Sequence, residues 1–566
     1  MRWTLNTEPS KEKVEALQEA LQVDVITAKL LVQRGISDFE SAKRFFRPRL
    51  EDLHDPFLMK DMDKAVARIE RAIANKENIL VYGDYDVDGT TSVALMSSYL
   101  KTKHNLIYTY IPNRYDEGYG VSYKGINFAL ENDFSLIIAL DCGIKSVDKV
   151  AHAKTLGIDF IICDHHRPGD EIPDAAAVLD PKREDCNYPF KELCGCGVGF
   201  KLIQALASKD GKTAEDLTAY LDLVATAIGA DIVPIDGENR VLAYFGLIVI
   251  NTNPRSGIKA ILDQVEKTTL TITDVVFIVA PRINAAGRMK HGNYAVTLLS
   301  EEEPDMAKKY AAEINEYNLD RRETDKRITE EALNQIEEHK EQNRLTTVVF
   351  NEDWHKGVIG IVASRLIESY YRPTLVFTKS GNKLAASARS VQGFDIYNAL
   401  GNCKEYIEQF GGHKYAAGLT LEPENYEAFK QAFEDEVSKT IDRDLLTPEI
   451  KIDAKINLDD ITPKFHRILK QFAPFGPSNM TPVFMSENVM DTGYGKCVGA
   501  DKTHLRLTAT QPGSSTKIVS IGFGLGKKIN KISDGKLFRT AYSIDENEWN
   551  GNVSLQLKLR DIKKQK

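Results

Sequence analysis

Residues 79–91, Ile-Leu-Val-Tyr-Gly-Asp-Tyr-Asp-Val-Asp-Gly-Thr-Thr, decide the architecture. The run Ile79 to Tyr82 leads to Gly83 and then to aspartates on alternate positions, Asp84, Asp86 and Asp88. Gly89 and two threonines open a second apolar run, Ser92-Val93-Ala94-Leu95-Met96. A short apolar run closed by glycine reads as a buried parallel strand, and the residues after Gly83 read as a turn and a helix N-terminus. In an open α/β sheet, ligands bind at that carboxyl edge. Three carboxylates crowded there repel one another unless a cation neutralises them. Taken alone, the stretch is equally an Asp-rich turn that caps a helix.

Outward from it, residues 76–300 alternate strand and helix. Strands are expected at NILVYGD, NLIYTYIPN, FSLIIALDCG, DFIICDHH and AAVLDPK, with helices such as TTSVALMSSYL and SVDKVAHAKTLG between them. The fold class is therefore α/β, with a parallel sheet and helices on both faces. Residues 1–75 read as helical. Residues 301–345 read as one long charged helix that bridges two lobes. Residues 346–443 return to a smaller α/β lobe, in which FGGHKYAAG is expected to be a flexible glycine loop. Residues 444–566 are mostly short strands, a small barrel or sandwich.

Composition narrows the class. A chain of 566 residues exceeds a single core, and 42% hydrophobic with 27% charged residues is globular rather than disordered. No apolar run approaches the roughly 20 residues that span a bilayer, and MRWTLNTEPSKEKVEAL has no signal-peptide core. The seven cysteines are odd in number and hold no CxxC pair, which excludes a disulfide framework or a zinc knuckle. Reduced thiols fit the cytoplasm. Cys194-Gly195-Cys196 reads as small-residue helix packing, and Cys142 and Cys163 as small core residues. The net charge of −9 disfavours general polyanion binding, but residues 495–566 hold 14 Lys and Arg against 6 Asp and Glu. A basic end on an acidic body points to a local polyanion site.

Three further segments repeat the pattern of the first. Asp141 follows Ser-Leu-Ile-Ile-Ala-Leu, Asp164-His165-His166 follows Phe-Ile-Ile-Cys, and Asp231 follows LDLVATAIGA. Each can project from the same sheet edge. Asp86, Asp88, Asp141, His165, His166 and Asp231 together suit two divalent cations, Mn²⁺ or Mg²⁺, with the imidazole favouring Mn²⁺. Such a pair activates a water and neutralises a phosphoryl group under in-line attack.

DYDVDG, DCG, DHH and GADIVP, in that order, resemble the DHH superfamily of phosphoesterases. RFFRPRLEDLHDPFLMKDMDKAVARI, PNRYDEGYG, PRINAAGR, DWHKGVIGIVASRL, SARS, FGGHKYAAG and LKQFAPFGPSN resemble its RecJ branch, the bacterial single-stranded-DNA-specific 5′→3′ exonucleases, over nearly the whole chain. The resemblance implies a DHH lobe, a DHHA1 lobe and an end barrel of OB type. It implies that Asp86 binds a first metal with Asp84 nearby, that Asp88, His165 and Asp231 bind a second, and that Asp141 bridges both. His166 would face the scissile phosphate, and Asp164 would orient a histidine. The pyrophosphatase branch has a histidine where this chain has Tyr82, which weakens the first site or leaves it to Asp84 or water.

A terminal phosphate calls for convergent arginines, whose forks meet two oxygens at once. Candidates are Arg114, Arg282, Arg288 and Arg389, with Ser387. The resemblance assigns Arg114, Ser387 and Arg389 to the 5′-phosphate and Arg288 with Asn284 to the nucleotide beside the metals, and His413 lies in a glycine stretch whose N–H groups can face phosphate. Phe472, Phe475, Tyr494, Lys496, Lys502, His504 and Arg506 are candidate single-strand contacts of the barrel. The implied substrate is single-stranded DNA with a 5′ end, and the implied settings are recombination and repair in the cytoplasm. The expected state is a monomer, with a single-strand-binding protein and a RecQ-type helicase as partners. Two other readings compete: a phosphoesterase for nanoRNA or cyclic dinucleotides, which would not need the barrel, and a scaffold without catalysis, which would not keep every carboxylate.

Overall fold

The computed structural model describes residues 1–533, 535–549 and 551–565. The chain opens not on a helix but on a strand, β1 (Arg2–Leu5), followed by helices Lys11–Leu21, Val25–Gln33 and Phe39–Phe46. Ser10, Asp24 and Asp38 cap these helices, each accepting a backbone N–H of the first turn. Their apolar faces do not cover the first sheet. Leu17, Leu30, Leu31, Ile36 and Ala42 share a core with the C-terminal barrel.

The first lobe is a five-stranded parallel sheet of β2 (Asn78–Gly83), β3 (Ile107–Tyr110), β4 (Phe134–Leu140), β5 (Asp159–Cys163) and β6 (Ala177–Leu179), in the order β3-β2-β4-β5-β6. Side chains alternate between two cores. Ile79, Val81, Leu136, Ile138 and Leu140 face one, and Leu80, Tyr82, Ile137, Ala139 and Ile162 face the other. Both faces are therefore dry, which is why these strands read as unbroken apolar runs. The Tyr82 hydroxyl donates to the Gly120 carbonyl beneath the edge and belongs to the core.

Helix Pro304–Glu338, 35 residues and about 50 Å long, joins the lobes. Ala307, Ala311 and Ile314 near its start belong to the core of the first lobe, and Ile328, Ala332 and Ile336 near its end to the core of the second. The second lobe is a sheet ordered β10-β11-β9-β8-β7, from β7 (Thr347–Phe350), β8 (Thr374–Ser380), β9 (Lys383–Arg389), β10 (Gln409–His413) and β11 (Ala416–Leu421). The expected glycine loop is instead a hairpin: Gly411, Gly412 and His413 pair with Gly418, Ala417 and Ala416.

After β12 (Glu449–Ile452), which pairs in parallel with β1, and β13 (Ala454–Lys455), helix Pro463–Lys470 precedes the barrel. Its strands are β14 (Phe484–Asp491), β15 (Lys496–Val498), β16 (His504–Thr510), β17 (Ile518–Gly522), β18 (Phe538–Trp549) and β19 (Asn552–Lys564). The pairings β14–β18, β18–β19, β19–β17, β17–β16 and β16–β14 close the ring, with one parallel contact between β17 and β19. That is the OB topology.

Arg240 joins barrel and first lobe. Its guanidinium donates to the carbonyls of Phe45, Phe472 and Ala473 and lies 3.8 Å over the Phe45 ring. Among the described residues, no helix is long and apolar enough to cross a membrane.

Candidate active site

The carboxyl ends of β2, β4 and β5 deliver the acids and imidazoles to one edge. Asp86 is the N-cap of helix Val87–Lys101 and accepts from the Gly89 N–H. Gly89 must be glycine, because a Cβ there would lie 2.4 Å from the Asp84 carbonyl oxygen. Asp141, directly after β4, is held at φ 59°, a left-handed backbone that an aspartate adopts at a cost. Asp231 is the last residue of helix Leu221–Asp231, and Ile232 follows it at φ 60°.

These residues meet around His165. Its Nε2 lies 3.2 Å from Asp141, 3.6 Å from Asp231 and 3.8 Å from Asp88. Two trios offer ligand atoms within 4.8 Å of one another: Asp88, His165 and Asp231, and Asp141, His165 and His166. Asp84 and Asp86 belong to neither trio. Their charges are nonetheless felt: burial, and then Asp86, raises Asp84 and pushes Asp88 up to about 7. Burial, then Asp88, raises both Asp141 and Asp231.

Asp164 does a different job. Its carboxylate accepts from the His165 and His166 N–H groups, from His166 Nδ1 at 2.7 Å and from the Ile144 N–H. Burial would raise it, but the His166 hydrogen bond and charge, with these donors, hold it down at about 2. Burial would lower His166 in turn, and the bond to Asp164 with the nearby carboxylates raises it to about 9. His165 is depressed to about 3 by burial and by His166, so it presents a neutral ring, as a ligand must. Tyr119 meets the far ring nitrogen of His166 at 3.2 Å.

Two features are not evident from the sequence motifs. The Cys194-Gly195-Cys196 stretch does more than pack. It opens helix Gly195–Ser208, and the N–H groups of Gly195 and Cys196 each donate at 2.7 Å to Asp88, one to each oxygen. A Cβ on Gly195 would come 2.6 Å from the Asp141 Cβ. The glycines at 195, 197 and 199 were the available signal. The other feature is the pair Tyr85 and Tyr119, which lines the rim beside Arg114 and His166.

The donor set fits a hard dication. Asp84 Oδ2, Asp141 Oδ1 and both ring nitrogens of His165 are buried without a hydrogen-bond partner. Carboxylates that raise one another's pKa, converging on a neutral imidazole, need a positive charge between them.

Across the cleft, Arg288 donates to the Gly357 carbonyl and is pulled down to about 9 by burial, then by Arg114 and Arg389. Three guanidiniums thus converge. Arg389 also reaches Ser387 Oγ at 3.2 Å, and Gly360 makes room, since a Cβ there would stand 2.8 Å from that oxygen. Asn284 Oδ1 is buried and unpartnered. His413 is lowered by burial, then by Arg389 and His166, which places it at the same cleft. Arg282 turns away, to Asn315 and the Ile278 carbonyl.

On the barrel, Tyr494 is 77% exposed, Lys496, Lys502 and Arg506 are exposed and His504 is half-buried. Phe472 is not a surface residue. It is fully buried against Phe45 and Phe46, because the loop that carries it closes onto the N-terminal helices. Phe475 is half-buried and packs on the same core. Phe523, which no sequence motif marks, is 58% exposed beside His504 and Lys558.

Comparison with known proteins agrees with this geometry. The DHH family N-terminal domain matches residues 78–228, the DHHA1 domain residues 342–439 and the RecJ OB domain residues 452–561. The chain is 37% identical over 568 residues to the single-stranded-DNA-specific exonuclease RecJ of Bacillus subtilis, covering 99% of this chain and 70% of the relative. It is 32% identical over 575 residues to the exonuclease of the same name from Escherichia coli, covering 98% of each. The crystal structure of RecJ with Mn²⁺ from Thermus thermophilus superposes with a TM-score of 0.84 at 25% identity, over 100% of this chain and 80% of that one.

Proposed function

The chain belongs to the RecJ family of single-stranded-DNA-specific exonucleases, and on that premise we propose that it removes mononucleotides from the 5′ end of the strand. It is a single-stranded-DNA-specific exodeoxyribonuclease that uses Mn²⁺ or Mg²⁺. The observation that carries the mechanism is the convergence of Asp88, Asp141 and Asp231 on His165.

In this reading Asp88, His165 and Asp231 would hold one ion, Asp86, with Asp84 behind it, would serve a second, and Asp141 would serve both. When bound, the ions supply an activated water and neutralise the phosphoryl charge. Gly195 and Cys196 fix the Asp88 carboxylate through their N–H groups. Asp164 locks the His166 ring through Nδ1, and the far nitrogen, which meets the Tyr119 hydroxyl, would donate to the scissile phosphate and its leaving oxygen when substrate is bound. Arg114, Ser387 and Arg389 take the terminal 5′-phosphate, and Arg288 with Asn284 lies along the nucleotide between the two phosphates. Requiring the end phosphate in that cluster sets polarity. The two lobes would clamp a single strand between them, and Tyr494, Lys496, Lys502 and Arg506 of the barrel would add contacts to it.

We place the enzyme in the cytoplasm, acting as a monomer in recombination and repair, with a single-strand-binding protein and a RecQ-type helicase supplying its substrate. A 5′-phosphorylated single strand incubated with Mn²⁺ should yield mononucleotides from the 5′ end, and blunt duplex should persist. Release from the 3′ end, or equal cutting of duplex, refutes the reading.

A further inference from the structure

The Tyr85 ring lies under the Arg114 guanidinium, whose central carbon is 4.0 Å from the ring centroid. Among the described residues Arg114 forms no ion pair, and its Nε is buried without a hydrogen bond. Its guanidinium neighbours repel it: Arg114 and Arg389 both act to lower Arg288. An arginine in such company would swing to water unless something held it. A carboxylate would hold it, but at the expense of N–H donors. An aromatic face holds it through the ring quadrupole and leaves the fork free.

Tyr85 is itself fixed. A Cβ on Gly287 would lie 2.6 Å from the Tyr85 carbonyl oxygen, and one on Gly292 would lie 3.4 Å from Tyr85 Cα and Cβ. Both glycines therefore let neighbouring backbone close over the residue. Tyr119 meets the ring edge-on, with centroids 6.0 Å apart at 83°. The residue is placed by its position between Asp84 and Asp86, in the turn after β2.

We propose that Tyr85 is a positioning residue for end recognition: its ring holds Arg114 flat, with the guanidinium donors presented to the terminal phosphate of the strand. The inference rests on the assignment of Arg114 to that phosphate. The ring contact, rather than the hydroxyl, carries the effect.

The test measures kcat/KM on matched single strands bearing a 5′-phosphate or a 5′-hydroxyl, in Mn²⁺, and takes their ratio. Tyr85→Phe keeps the ring and should keep the ratio within about twofold, whereas Tyr85→Leu and Tyr85→Met should lower it by about tenfold, mainly through KM for the phosphorylated strand. The rise in melting temperature on adding Mn²⁺ should be the same in all three variants. If Tyr85→Leu or Tyr85→Met keeps the ratio, or Tyr85→Phe loses as much as they do, the proposal is overturned. It is also overturned if the Mn²⁺ response disappears with the ratio, since the defect then lies in the metal site. Arg114→Ala separates the two levels. A ratio unchanged by Arg114→Ala removes the assignment of Arg114 itself, and a ratio lost in Arg114→Ala but kept in Tyr85→Leu removes only the role of Tyr85.

Discussion

His165 Nε2 and Asp141 Oδ1 lie 3.2 Å apart, yet neither atom makes a hydrogen bond. At that separation a histidine and a carboxylate normally share a proton. Here both aim at common space, and burial disfavours the charges that would join them directly. The arrangement is that of two ligands addressed to a third body.

Removing either ligand should cost activity on the order of 10³-fold or more, because several kcal/mol of charge stabilisation leave with it. Asp141→Ala and His165→Ala are the variants. Calorimetric titration with Mn²⁺ should show at least one binding event lost in each, with circular dichroism unchanged.

The same crowding predicts a trade between function and stability. Without metal, Asp141 is surrounded by Asp88, Asp86 and Asp231, so Asp141→Asn should raise the melting temperature of metal-free protein by a few degrees. Adding Mn²⁺ should stabilise the parent protein and leave the variant nearly unmoved. A variant that melts lower than the parent in a chelator would contradict this.

Gly195→Ala adds one methyl against the Asp141 side chain and shifts the N–H groups that hold Asp88. Activity should fall about 10²-fold while Mn²⁺ affinity falls by about tenfold, as when an outer partner of a metal ligand is lost. Both are read on one preparation, by nuclease assay and titration.

Tyr494 and Phe472 should fail in opposite ways. Tyr494→Ala should weaken binding of a labelled single strand by about 1–3 kcal/mol without changing the melting temperature. Phe472→Ala should cost about 3–5 kcal/mol of stability and change affinity little once the protein is folded. Fluorescence anisotropy and calorimetric melting distinguish the two.

Arg240→Met removes a guanidinium that reaches from the first lobe to carbonyls of Phe45, in the N-terminal helices, and of Phe472 and Ala473, in the loop that leads into the barrel. Those carbonyls stay buried, so the joint should lose on the order of 3 kcal/mol. Limited proteolysis should then cut within residues 471–480 faster than in the parent, while Mn²⁺ binding persists.

How much of the molecule is legible in the chain depends on the kind of signal each feature leaves. Ile79–Tyr82 and Leu136–Leu140 are dry on both faces, so their strands stand out as unbroken apolar runs, and the acids after them fall at the sheet edge by topology. Arg389 and Ser387 share a short motif and a strand. The donors to Asp88 left no such mark, because backbone N–H groups have no letter of their own; only the spacing of glycines hints at them. Phe472 and Tyr494 are both loop aromatics, and nothing local tells the one under the N-terminal helices from the one in water. The four residues of β1 are too few to show a period, and their partner lies far along the chain.

That distance has a consequence for synthesis. Asn6 hydrogen-bonds Asp453, 447 positions later, and the Trp3 indole donates to Asp561, 558 positions later. At about 5–20 residues per second, a ribosome takes roughly half a minute or more to deliver those partners. Throughout that interval the strand Arg2–Leu5 lacks the Glu449–Ile452 edge that it joins in the folded molecule, so a growing chain carries an open β-edge until that segment is made.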